Sequence, residues 1–285
     1  MTIIFKTRCD GVRQKFHLTP LRPKIKKLYL EGLSSRKIGK KLGISHTRVL
    51  IILKKENVNR RSLIKPIYNK NHQKLTAERA YIFGVMCGDG CVFSGMANKN
   101  KWKYKNYIVY LAVKDRDFID EFVRCIDNTY GVIPSLYLRE RNKFNKKWSD
   151  IWIARITRKE VYRDLSHYKF GTEDWRIPKE VIKCDNEKII GSFLKGFYDS
   201  EGSVLKGPRS FNIVVYSNNL KGLLEIKYLL KKLGINSCKM MKDKRIHRNP
   251  SFFFAILKKK NLEVFLNKVG FAIQRKQNKL KEHLK

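Results

Sequence analysis

Apolar positions along the 285-residue chain switch repeatedly between a helical period and strand-like alternation. Near the start, Ile25, Leu28, Tyr29 and Leu33 fall at helical spacing behind Pro23. Ile38 and Leu42 follow the candidate cap Ser34, and Val49, Ile52 and Leu53 follow the candidate cap Ser45, ending near Glu56. Three short helices are therefore expected over 22–60, with small Gly39 where two of them must approach. They are preceded by an arm, 1–21, of little signal and followed by a linker, 61–75, that holds Pro66 and no period. From Thr76 the pattern reads as a helix through Tyr81, Ile82 and Val85 to Asp89, then strand-like CVF and YIVYLAV. An amphipathic helix follows, with Phe118, Phe122, Ile126 and Tyr130 on one side. SLYLRERNKFNKKWSDIWIARI reads as strand, basic turn and strand, and TRKEVYRDLSHY as a helix. The order over 76–184 is α-β-β-α-β-β-α.

The same order is expected over 185–285. From the candidate cap Asp185 a helix runs to Glu201, followed by strands near Ser203 to Leu205 and Phe211 to Tyr216 and a helix from Leu220 to Leu233. Strands near Cys238 to Lys242 and Phe252 to Leu257, a helix from Asn261 to Val269 and a final helix from about Gln274 complete the copy. Its first helix repeats a pattern: YIFGVMCGDG at 81–90 and FLKGFYDSEG at 193–202 each carry a glycine at one fixed place and end acid-Gly. Gly84 with Gly88, and Gly196 with Ser200, are spaced i, i+4. Such a stripe of small residues lets two helices meet backbone to backbone. One acid-Gly pair alone merely ends a helix, with glycine free to take positive φ. Two copies in matching αββα contexts favour a shared site instead, with the two units packed about a pseudo-twofold axis. Asp89 and Glu201 would then meet at paired helix C-termini, where free carbonyls and the negative dipole end attract a cation.

Composition narrows the partner. The chain carries 63 Lys and Arg against 25 Asp and Glu, a net charge of +38, which points to a polyanion and first to nucleic acid. With 42% hydrophobic and 12% aromatic residues it can still bury a core. No apolar run approaches the roughly 18 residues of a membrane span, and the opening MTIIFKTRCDGVRQKF lacks the apolar stretch of an export signal. An intracellular protein, cytoplasmic or nucleoid-associated, is expected. Six cysteines (Cys9, Cys87, Cys91, Cys125, Cys184, Cys238) show no CxxC spacing, so reduced thiols are expected rather than a zinc site.

The paired motifs resemble the two signatures of a LAGLIDADG homing endonuclease of the single-chain type, Ile82–Gly90 and Leu194–Gly202 filling the nine positions. The resemblance implies an α+β fold of two pseudo-symmetric αββαββα repeats forming a DNA-binding saddle, with repeats at 76–184 and 185–285. It implies hydrolysis of phosphodiesters in double-stranded DNA at a long asymmetric target by a monomer. Asp89 and Glu201 would hold divalent metal, with Gly88 and Ser200 beside them in the metal set. Magnesium, a hard cation suited to carboxylate, carbonyl and water oxygens, is the expected ion, with manganese as its substitute. Lys114 and Lys276 fall near the positions where the family places assisting basic residues. Two departures stand out: Cys87 occupies the place where the second copy keeps Asp199, and the two metal-binding acids differ.

Strand alternation in SLYLRER sets Tyr137, Arg139 and Arg141 toward DNA and Leu136 and Leu138 toward the helices. Lys239 and Lys242 belong to the corresponding region of the second copy. Lys99, Lys101, Lys103, Lys105, Lys143, Lys146, Lys147, Lys244 and Arg245 lie in or near hairpin tips that could follow phosphates. The three N-terminal helices resemble a helix-turn-helix of the resolvase or homeodomain-like kind. That resemblance offers His46, Thr47, Arg48 and Ile51 to a major groove, and Lys54, Lys55, Arg60 and Arg61 to phosphates. Two alternatives remain beside the endonuclease. One is a transcription regulator whose LAGLIDADG domain binds DNA without cutting it; the other is a maturase that binds intron RNA. Residue 1 is no splicing-type Cys or Ser and the end is not His-Asn, so a complete intein is not expected.

Overall fold

The computed structural model describes residues 21–31, 33–58, 69, 71–99, 102–168, 170, 173–207, 211–243 and 251–285. The expected arm before residue 21 and most of the expected linker lie outside these residues. So do Arg60, Arg61, Lys101, Lys244, Arg245 and the side chain of Lys99. The chain divides into two units, Met1–Lys65 and Pro66–Lys285.

In the first unit, α1 (Arg22–Leu30), α2 (Ser35–Leu42) and α3 (His46–Lys55) surround a small core of Ile25, Tyr29, Ile38, Val49, Ile52 and Leu53. The two serine caps are formed: Ser34 Oγ accepts the Lys37 N–H at 3.2 Å, and Ser45 Oγ accepts the Arg48 N–H at 3.3 Å. A Cβ on Gly39 would lie 2.6 Å from the Ile44 carbonyl oxygen, so only glycine allows the turn into α3 to pack this closely. Gly43 ends α2 in the left-handed conformation, φ 67°.

The second unit opens with α4 (Ala77–Met86), capped by Thr76, whose hydroxyl accepts the Arg79 N–H at 3.2 Å. Strands β1 (Cys91–Lys99) and β2 (Trp102–Val113), helix α5 (Arg116–Tyr130), strands β3 (Ser135–Arg139) and β4 (Ile151–Ile156) and helix α6 (Lys159–Ser166) complete the first repeat. A short helix, α7 (Lys179–Ile182), which periodicity does not reveal at four residues, leads into the second repeat. That repeat holds α8 (Glu187–Glu201), β5 (Gly202–Lys206), β6 (Phe211–Ser217), α9 (Leu220–Lys232), β7 (Met241–Lys242), β8 (Phe252–Ile256), α10 (Lys259–Lys268) and α11 (Gln274–Leu284). Each repeat forms an antiparallel four-stranded sheet, in the orders β1-β2-β4-β3 and β5-β6-β8-β7. This is an α+β architecture with one sheet per repeat, as the doubled pattern implied.

Alternation explains what each sheet face does. Val109, Leu111 and Ala154 point at the helices and are fully buried, in register Val109↔Ile156 and Leu111↔Ala154. The second sheet matches it with Ile213↔Ile256 and Val215↔Phe254. The opposite faces expose Phe93, Tyr104 and Tyr137 in one sheet and Leu205, Tyr216 and Met241 in the other. Left-handed glycines follow the corresponding helices α5 and α9 of the two repeats, Gly131 at φ 63° and Gly234 at φ 79°.

Several expectations need correction. The α-helix of the first motif stops at Met86 rather than reaching Asp89, because the Gly88 and Gly90 N–H groups both turn back to the Val85 carbonyl, at 3.1 and 3.0 Å. Asn186, not Asp185, caps α8, its side chain accepting the Lys188 and Ile189 N–H groups. The strand expected from Cys238 is regular only at Met241–Lys242, although the Cys238 N–H already donates to the Ala255 carbonyl at 2.9 Å. Leu138 does share the helix-side face with Leu136, but on the edge strand β3 it stays 41% exposed, and only Leu136 packs against the core. Arg141 lies beyond β3, in the loop to β4.

Candidate active site

The two motif helices meet where the small residues fall. A Cβ on Gly84 would stand 2.0 Å from the Phe193 carbonyl oxygen, and one on Gly196 would stand 2.3 Å from that of Tyr81. The backbones of α4 and α8 are therefore in direct contact at both glycines. Below this crossing, a Cβ on Gly88 would meet Ser200 Cβ at 2.4 Å and Glu201 Cγ at 3.2 Å, so the two acid-Gly corners lie side by side.

Each acid is shifted by its surroundings. The Glu201 carboxyl is pushed up to about 7, first by burial and then by the negative charge of Asp89, against the pull of Lys276. Asp89 is also raised by the protein crowded around it, with Lys276 opposing, although its side chain opens to solvent. The negative charge of Asp89 thus disfavours the ionised form of Glu201, which a cation beside them would relieve.

Of the two basic residues expected near the acids, Lys276 is the one brought to the motif helix ends. It sits at the start of α11, buried to 7% exposure, and donates to the Tyr198 carbonyl at 3.1 Å and the Asp199 carbonyl at 2.7 Å. It thus caps the C-terminal carbonyls of α8 while lying within electrostatic reach of Asp89 and Glu201. Burial lowers its pKa to about 8, against the opposing charge of Asp199. Lys114, the other candidate, is exposed and acts on Asp115 rather than on either motif acid.

Asp199 differs from its counterpart Cys87 in more than charge. It is 2% exposed, accepts the Tyr81 hydroxyl at 2.9 Å and takes the Ala272 N–H at 3.0 Å and the Ile273 N–H at 3.4 Å. It therefore ties α4, α8 and the approach to α11 into one node, even though burial raises its pKa to about 6. Cys87 is buried and its thiol is pushed well up by that burial, so it is an inert packing group. The five described cysteines are all free.

A clasp outside the helix ends holds Lys276 in place. Arg275 grips Asp115 with two hydrogen bonds, Nε to Oδ1 at 2.7 Å and a terminal nitrogen to Oδ2 at 2.8 Å, and the Gln274 N–H donates to Asp117 at 2.6 Å. Sequence reasoning missed this contact because its partners are 160 residues apart. It also missed the Arg79–Asp164 pair, buried beside α4 and joined by the Tyr130 and Tyr168 hydroxyls. An arginine on an otherwise apolar helix face was the signal available for it.

A cleft of about 510 Å³, lined by Gly88, Gly90, Cys91, Trp175 and Glu201, opens on one side of the motif ends. A second, of about 500 Å³, is lined by Ser200, Gly202, Arg275, Lys276 and Lys279. Among the described residues no group of three or more His, Cys, Asp or Glu is placed to hold a metal ion. Asp89 and Glu201 offer oxygen donors, the kind that hard divalent cations take together with water and phosphate oxygens.

The expected DNA-contacting residues divide. Tyr137 and Arg139 lie on the open face of the first sheet and are exposed. Lys242 pairs with Phe252 and so falls on the helix side of the second sheet rather than its open face, and Lys239 is exposed outside β7. His46, Thr47, Arg48, Lys54 and Lys55 lie along α3, apart from its buried Val49, Ile52 and Leu53. Among the described residues no helix is long and apolar enough to cross a membrane.

Residues 188–270, the core of the second repeat, match the model of the LAGLIDADG-like domain. The whole second unit has the LAGLIDADG fold: the homing endonuclease I-DmoI, in a crystal structure with DNA and Ca, superposes with a TM-score of 0.50, covering 73% of this chain and 98% of that one at 18% identity. An uncharacterized protein of Methanocaldococcus jannaschii is 36% identical over 192 residues, 65% of this chain and 66% of its own length, so the match spans about two-thirds of each. A second from the same organism is 29% identical over 220 residues, 73% of this chain and 71% of that one.

Proposed function

We propose that the chain is a site-specific double-strand DNA endonuclease that hydrolyses phosphodiesters with divalent metal held by Asp89 and Glu201. The observation that carries this reading is the juxtaposition of the two acid-Gly corners at the ends of helices in backbone contact, which sets Asp89 and Glu201 side by side next to the buried Lys276. The net charge of +38 and the exposed aromatic and basic residues on the sheet faces support a duplex as the substrate.

In this reading Asp89 and Glu201 hold the metal, with backbone oxygens at Gly88 and Ser200 available beside them. The bound metal would supply an activated water and a neutralised leaving oxygen. Lys276 keeps the α8 carbonyls satisfied and sets positive charge beside the acids. The Arg275–Asp115 clasp and Asp199 fix its position. The three helices of the first unit act as a DNA-binding module over 22–60, with Arg48 and its neighbours on α3 as the reading residues. Joined to a cutting unit, such a module raises the effective concentration of the enzyme at its target.

The test is selection from a library of randomised DNA duplexes in magnesium, manganese or calcium, with the wild-type chain and Glu201→Gln. Metal-dependent cutting at one long site, lost in Glu201→Gln while binding persists, is the expected result. Specific binding with no cutting under any ion would overturn the nuclease and leave a DNA-binding regulator. Preference for structured RNA over every duplex would make the chain a maturase.

A further inference from the structure

The loop between β3 and β4, residues 140–150, has no role in the site described above, yet it is the most unusual surface of the second unit. Phe144 at its tip is 82% exposed, the most exposed large apolar residue among those described, and Trp148 is 48% exposed. Around them stand Arg141, Lys143, Lys146 and Lys147. Of the two acids in the loop, Glu140 is paired with Lys143, and Asp150 accepts the Asn142 N–H at 3.0 Å. The surface Phe144 presents is therefore apolar at its point and cationic around it.

The loop is also a built object. The Phe144 and Asn145 N–H groups both donate to the Arg141 carbonyl, at 3.0 and 3.2 Å, and the Trp148 N–H donates to the Asn145 carbonyl at 2.9 Å. The Asn145 side chain accepts the Lys147 N–H at 2.9 Å, and the Arg141 guanidinium lies 5.1 Å from the centre of the Trp148 ring. Two consecutive turns and a cation–π stack thus prop Phe144 outward. An exposed phenylalanine held by this much local structure lowers the entropy lost when it docks. The loop continues directly from Arg139, which shares the open sheet face with Tyr137. The corresponding stretch of the second repeat, 243–251, reads DKRIHRNPS and contains no Phe, Tyr or Trp.

We propose that this loop is a wedge for duplex DNA: its cations seat on phosphates, and Phe144 inserts at a base step, partly unstacking it and kinking the helix. The inference rests on the duplex-binding reading above and goes beyond it. Cationic surroundings select a polyanion, and the apolar point has a partner there only in the face of a base or the interior of a base step. Flexible pyrimidine–purine steps are the cheapest to open, so a TA step is the preferred seat. Because only the first repeat carries the wedge, it marks one end of the bound duplex.

The test uses the full chain and a 40-base-pair duplex of alternating dA and dT with 2-aminopurine replacing single adenines. Binding is followed by anisotropy and unstacking by 2-aminopurine fluorescence, for wild type, Phe144→Ala and Phe144→Trp. The expected result is a fluorescence rise with wild type and Phe144→Trp, abolished in Phe144→Ala. The latter should also bind about 5- to 100-fold more weakly, with an unchanged salt slope because no phosphate contact is removed. Unchanged affinity and fluorescence in Phe144→Ala would overturn the wedge while leaving duplex binding intact. A Phe144 effect confined to single strands would overturn it in favour of a base-stacking platform. Failure of the wild-type chain to bind duplex at all would overturn both the wedge and the reading on which it rests.

Discussion

Replacing Gly84 by alanine tests the helix contact on which the site depends. The new methyl would lie about 1.4 Å inside ordinary 3.4 Å contact with the Phe193 carbonyl oxygen, and only 2.8 Å from the Phe197 nitrogen. Both neighbours are backbone, so no side chain can rotate away and α4 must move off α8. Overpacking of this kind costs about 1–3 kcal/mol, and with rigid neighbours the upper end applies. Alanine returns about 1 kcal/mol of helix propensity, leaving a net loss of about 2 kcal/mol. For a protein of this size that lowers the main thermal transition by about 4–8 °C. Gly196→Ala should behave alike, its methyl meeting the Tyr81 carbonyl oxygen at 2.3 Å. Leu224→Ala, at a 49% exposed position of α9, serves as the control and should leave the transition unmoved. Separation of the helices also parts Asp89 from Glu201, so on the proposed reading cleavage with a divalent metal should fall further than the loss of folded protein explains. A Gly84→Ala chain that melts with wild type and cuts normally would refute the backbone contact and the shared site built on it.

Two further expectations concern ion pairs. Arg79→Met removes the partner of Asp164, whose side chain is 9% exposed, and should destabilise by about 3–5 kcal/mol in urea titrations. Adding Asp164→Leu should recover part of that loss, since no buried charge then remains alone. Arg275→Ala should lower stability near neutral pH by about 0.5–1 kcal/mol, because the pair is partly exposed. Arg275 holds the Asp115 carboxyl below its usual range. The pair's contribution is therefore present above the unfolded carboxylate pKa, roughly 4, and disappears as pH falls through the lower folded value. Urea midpoints of the two chains should converge as pH drops from 5 to 3; a gap that persists at pH 3 would show that the pair does not act through Asp115.

The sequence made the repeated architecture legible because each amphipathic period is local. Phe118, Phe122, Ile126 and Tyr130 mark the buried side of α5 from spacing alone, and the glycine stripe marks the faces on which α4 and α8 touch. Lys276 could be placed near the site through the family resemblance, but its capping of the α8 carbonyls could not. That depends on a contact across more than 70 residues. The same limit hid the Asp115–Arg275 clasp. Leu138 misled because alternation assigns a face but not an edge, and β3 is the outermost strand. Helix ends were missed by a few residues where backbone turns, rather than side-chain period, decide them, as at Met86 and the bonds back to Val85.

The node at Asp199 has a consequence for synthesis. It binds backbone at Ala272 and Ile273, and Lys276 closes over the carbonyls of Tyr198 and Asp199. Both motif acids leave the ribosome at least 75 codons before that lysine does, so a nascent chain holds them without the latch that fixes their helix ends. On the proposed reading, a chain that ended before residue 272 would carry both motif acids but none of the contacts that fix the end of α8, so the cutting centre is organised only once the last helix has been made.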